Sequence, residues 1–110
     1  MYVALAAGHE SGDETAILME ANDFTRLHVA APQSWDATRI DAVLRRAGAG
    51  YVHDSNAWLS VDWIAAAEAS AADTGWRNDL FKMLDYARSK GWVTLDEAAV
   101  QAHIQFDVTG

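Results

Sequence analysis

Seven residues near the end of the chain, Val100-Gln101-Ala102-His103-Ile104-Gln105-Phe106, alternate apolar and polar without a break. A period of two fits an extended strand with Val100, Ala102, Ile104 and Phe106 on one face and Gln101, His103 and Gln105 on the other. Wound into a helix, the same residues would scatter around its surface. A strand that is apolar on one side and wet on the other needs partner strands beside it and an apolar layer over one face.

The rest of the chain supplies both. Met1 to Ala7 is apolar, with no basic region before it and too little length for a secretory signal, and reads as a first strand. Thr15 to Met19 suits a second strand. Turn formers follow at Ala21-Asn22-Asp23, then an extended segment from Phe24 to Ala31, so a hairpin of the second and third strands is expected. Pro32 stops that segment.

Ser34 offers an N-cap and Asp36 a first-turn charge for a helix on which Trp35, Ile40, Val43, Leu44 and Ala47 share one stripe. Gly48 closes it as a left-handed cap. A further strand near Tyr51 or Trp58 is possible on either side of His53-Asp54-Ser55-Asn56. Ser60 reads as the N-cap of an alanine-rich second helix over 61–70. A third helix from about Trp76 to Lys90 carries the stripe Trp76, Leu80, Met83, Leu84 and Ala87. Gly91 ends it, with Trp92 placed to fold back on its last turn. Thr94 and Glu97 have capping-box spacing, which predicts one more helical turn.

Strands followed by helices and a final strand make an α+β fold. The expectation is one domain over 1–110, with a small antiparallel or mixed sheet of about four to five strands and three helices mainly on one face. A 110-residue chain that is 51% hydrophobic, with five Trp, has the means to fill such a core unaided.

Composition also removes function classes. Lys and Arg total 8 against 16 Asp and Glu, a net charge of −8. No basic cluster is present to neutralise phosphates, so nucleic acid is not an expected partner. Arg45-Arg46 is accounted for by the end of the first helix, where cations suit the dipole. The absence of Cys excludes disulfides, thiolate metal sites and a Cys nucleophile. No apolar run approaches the roughly 18 residues of a membrane helix, so neither a membrane nor a secreted location is expected, and the cytoplasm is.

Two loops crowd reactive side chains together. His9, Glu10, Ser11, Asp13 and Glu14 could hold a cation or move protons, but the spacing matches neither H-E-x-x-H nor an EF-hand, and polar loops look the same. His53-Asp54-Ser55-Asn56, flanked by Tyr51 and Trp58, sets an imidazole beside a carboxylate and aromatics. In an extended chain His53 and Asp54 would point apart, so each would need a partner from elsewhere. The candidate catalytic residues are therefore His53, Asp54 and His9. His28 and His103 could approach each other if their strands are neighbours, although half-exposed strand positions explain both. No Gly-rich phosphate loop or nucleophile elbow is present, and nothing calls for a cofactor or a metal. The five Trp sit at or near element ends, as core anchors or, for one or two, as an interface hot spot.

Taken together, the residues predict a small protein that binds a protein or small molecule as a homodimer, without catalysis. The alternative is a small enzyme with a polar pocket near His53.

Overall fold

The computed structural model of the chain describes residues 1–6, 14–20, 23–24, 27–67, 74–94, 96 and 98–107. Over these the order is β1 (Tyr2–Ala6), β2 (Thr15–Met19), β3 (His28–Pro32), α1 (Ala37–Ala47), β4 (Gly50–His53), β5 (Asn56–Ser60), α2 (Val61–Ala67), α3 (Thr74–Ser89) and β6 (Ala99–Asp107). The predicted loop from His9 to Asp13, the turn at Ala21-Asn22 and the stretch 68–73 lie outside the described residues.

The architecture is α+β, with three helices and one mixed sheet of six strands rather than four to five. The additional strand comes from a hairpin between β4 and β5, whose turn consists of Asp54 and Ser55 alone. Both have positive φ, 52° and 69°, as the tight turn that matches strand twist requires. Asp54 suits the first position of such a turn, but Ser55 stands where Gly would advertise it.

The strand order is β2-β1-β3-β6-β5-β4. The expected β2–β3 hairpin does not form. β1 lies between the two, antiparallel to β2 (Val3 opposite Leu18) and parallel to β3 (Val3 opposite Val29). A polar turn specifies only that the chain reverses; burial decides adjacency, and Val3 and Leu5, 0% and 6% exposed, place β1 inside the sheet. β3 also starts at His28 rather than Phe24. Phe24 and Leu27 precede it and pack against the core, with Phe24 tilted against Trp76.

β6 holds the two halves together. Its residues 103–107 run parallel to β3 and its residues 99–102 run antiparallel to β5. Val100 and Ala102 are buried as the alternation predicts, whereas Phe106 is 46% exposed. The core face of the sheet (Val3, Val29, Leu59, Val100) meets Ile40, Val43 and Leu44 of α1, Ile64 of α2, and Trp76, Leu80, Leu84 and Ala87 of α3. Transfer of these side chains from water is the main source of stability.

The caps mostly follow the residues. Ser60 Oγ accepts from Trp63 N and starts α2. Gly48 and Gly91 both take left-handed conformations, and the next residues donate backward, Ala49 N to Leu44 O and Trp92 N to Ala87 O. At α1, however, the N-cap is Asp36 and not Ser34; its carboxylate accepts from Arg39 N at 2.9 Å, and an ionised acceptor suits the dipole better than a hydroxyl. Ala47 is exposed and does not extend the buried stripe.

α1 also reaches both edges of the sheet. The sheet curls enough that α1 contacts β2 and β4, its two outermost strands. Asp41 Oδ1 accepts from Val52 N on β4 at 2.8 Å while holding Arg45 Nε through both carboxylate oxygens. At the other edge Arg39 and Arg46 lie 3.7 Å and 3.4 Å from the carboxylate of Glu14, just before β2. Edge strands otherwise present unpaired backbone groups to any passing chain.

The helical turn predicted at Thr94 is absent from the described residues of that segment. Thr94 instead closes back on Ala99: its N donates to Ala99 O, and Ala99 N donates to its Oγ1. The Thr94 hydroxyl then donates to Asp96 Oδ1 at 2.6 Å, and Ala98 N donates to the same oxygen. The hydroxyl first and the amide second hold the Asp96 carboxyl below its ordinary value of 3.8. A lowered carboxyl pKa stabilises the fold above its unfolded value and loses that contribution as pH falls through the folded one. The expected result is that Asp96→Asn is less stable than the parent at neutral pH, and that the difference shrinks below pH 3.8. Urea denaturation across that range checks it; a difference independent of pH would refute it.

Candidate functional site

The sheet changes partners along one edge of β6, and that change makes a cleft. β5 occupies one edge of β6, so β3 and the segment after α3 must share the other. β3 pairs there with residues 103–107. Val93 bridges to Val100 antiparallel, and Gln101 N donates to Trp92 O at 2.6 Å. Where one partner hands over to the other, the described residues leave a cleft of about 350 Å³, within the usual range for small-ligand sites.

Four segments build its walls. Phe24 and Leu27 come from the approach to β3, Met83, Tyr86 and Ala87 from α3, and Trp92 from the cap of α3. Val100, Gln101 and His103 come from β6, with Asn56 from the start of β5. The left-handed turn at Gly91 swings Trp92 back until its ring meets Tyr86 edge to face, centroids 6.1 Å apart and planes at 69°. Both rings are well exposed for aromatic side chains, Tyr86 by 61% and Trp92 by 42%. Among the described residues no Asp, Glu, Lys or Arg lines the cleft. Its chemistry is therefore that of ring faces and a thioether, with amide and imidazole hydrogen-bonding groups beside them.

The candidate catalytic residues of the sequence do not line this cleft. His53 and Asp54 sit at the tip of the β4–β5 hairpin, with side chains 69% and 86% exposed. They do approach each other, His53 Nε2 to Asp54 Oδ2 at 3.3 Å, against the expectation that they point apart. Strand alternation does not apply, because Asp54 is already a turn residue with φ 52°. The pair lies in solvent, where water screens the carboxylate and no wall positions a substrate. His9 lies outside the described residues.

His28 and His103 are register partners on neighbouring parallel strands, and Tyr2 stacks on His28 with centroids 4.9 Å apart. Among the described residues no group of three or more His, Cys, Asp or Glu could hold a metal ion.

The two histidines belong to a second surface, the sheet face opposite the core. One row across it reads Met19, Tyr2, His28, His103 and the next Ile17, Ala4, Ala30, Gln105. Ile17 and Met19 are 54% and 41% exposed there. A broad trough of about 790 Å³ crosses the far end of this face, between Tyr2, His28 and Gln105 and the start of α1 at Trp35 and Arg39. Arg39 is already engaged, stacked over Trp35 at 4.2 Å and facing Glu14.

Among the described residues no helix is long and apolar enough to cross a membrane. No protein-family model, curated protein or solved structure matches this chain.

Proposed function

We propose that this chain is a binding domain without catalysis of its own, and that the cleft beside β6 receives an apolar, ring-sized guest. The observation that carries this reading is the convergence of Phe24 from the approach to β3 with Tyr86 and Trp92 from α3 and its cap, on a cleft that no charged side chain among the described residues lines. Exposed aromatic rings around a concave, uncharged site gain more from covering than from water. The alternative of an enzyme working at His53 draws less support, because that imidazole and its carboxylate neighbour lie open to solvent.

The neutral fluorescent probe N-phenyl-1-naphthylamine tests the reading. Its emission is expected to rise and shift to the blue on mixing with the protein, and Trp92→Ala to weaken binding about tenfold or more with the far-UV spectrum unchanged. No response from the parent protein would refute the reading.

A second reading rests on the sheet face opposite the core, where Ile17 and Met19 are exposed among the described residues: two copies meet through it and bury them. Light scattering is then expected to give twice the chain mass for the parent and the monomer mass for Ile17→Lys. A parent that stays monomeric at high micromolar concentration removes this reading and leaves the cleft untouched.

A further inference from the structure

We infer that the guest of the cleft is a small alkylated ammonium, a cation whose charge is spread over methyl groups. This rests on the cleft being a binding site and adds the chemistry of what it binds. Tyr86 and Trp92 stand at 69° to each other, so they offer a corner, and Phe24 supplies a third ring to the same cleft. Aromatic faces carry negative charge density and attract cations, above all those that shed water easily. Among the described lining residues none is cationic to hold a carboxylate or phosphate, and none is a carboxylate to replace the hydration that a bare ammonium would lose. A quaternary or tertiary ammonium avoids both costs. One ring already shows the preference: Lys90 Nζ sits over the face of Tyr86, 5.6 Å from its centroid. The chain's net charge of −8 raises the local concentration of any cation near its surface. Asn56 and Gln101 stand ready to hydrogen-bond a hydroxyl or carbonyl carried on the same guest.

Choline and its uncharged isostere 3,3-dimethylbutan-1-ol have nearly the same shape and separate charge from volume. Titration of each into the folded protein at low salt, followed by Trp fluorescence and amide chemical shifts, is expected to show choline binding at least about fivefold more tightly. Trp92→Leu keeps an apolar wall and is expected to abolish that preference. Lys90→Met removes the competing cation and is expected to tighten choline alone. Equal or better binding of the alcohol would overturn the cationic guest while leaving the cleft as a binding site. Binding of neither, with the naphthylamine probe also silent, would overturn both.

Discussion

Gly50→Ala is expected to cost at least about 3 kcal/mol, a large fraction of the roughly 5–15 kcal/mol that holds a small domain folded. Gly50 opens β4 with φ 152°, and a Cβ built there would stand 2.0 Å from the carbonyl oxygen of Trp58, with Leu59 Cα and Trp58 C both at 3.0 Å. All three are backbone atoms of β5, so no side-chain rotation relieves the overlap. Relief requires β4 to draw away from β5, which breaks the pairing of Gly50 with Leu59 and disturbs a residue that is wholly buried. Gly48 is the control. Its φ is 73° but its Cβ would meet nothing within 4 Å, so Gly48→Ala carries backbone strain alone, about 1 kcal/mol. Urea denaturation of the two variants distinguishes overlap from strain. A Gly50→Ala protein within 1 kcal/mol of the parent would show that the two strands do not approach as closely as described.

The second large effect is expected at Leu44, where substitution by Ala should cost about 3–5 kcal/mol. Leu44 is 0% exposed and sits in the main core beside Ile40 and Val43. Its carbonyl accepts from Ala49 N in the cap that turns the chain toward β4. Loss of the side chain leaves a cavity that surrounding strands, tied by their own pairings, close only in part. Leu44→Met conserves volume and should cost less than about 1.5 kcal/mol. If the Ala and Met variants melt together, burial at this position is not what holds α1 in place.

Which features were legible in the residues follows a physical rule. β6 was readable because seven alternating positions have only one regular solution. α1 and α3 were readable because Gly48 and Gly91 close apolar stripes of the right period. The β4–β5 hairpin was obscure because Ser55 takes positive φ where Gly is the usual residue after Asp in such a turn. The position of β1 between β2 and β3 is a long-range choice made by burial, which a local turn signal does not encode.

The cleft was hidden for the same reason. Its walls come from Phe24, Tyr86, Trp92 and His103, brought together only when β6 changes partners. Trp92 itself had a visible signal, an indole directly after a helix-ending Gly, and the fold uses it both as the expected cap contact and as a wall. His53 and Asp54 had the stronger chemical signal, yet the hairpin carries them away from any enclosure. Reactive side chains in a polar loop report that the loop is wet before they report that it works.

One consequence of α1 bears on how the molecule fails. Because a single eleven-residue helix ties down both borders of the sheet, through Asp41 on Val52 N of β4 and through Arg39 and Arg46 on Glu14 just before β2, the two are not lost independently. Fraying of that helix unmasks both at once, so each loosened molecule has two sticky ends and can join neighbours into a chain rather than stopping at a pair. Colloidal lifetime is thus set by the residence of one helix.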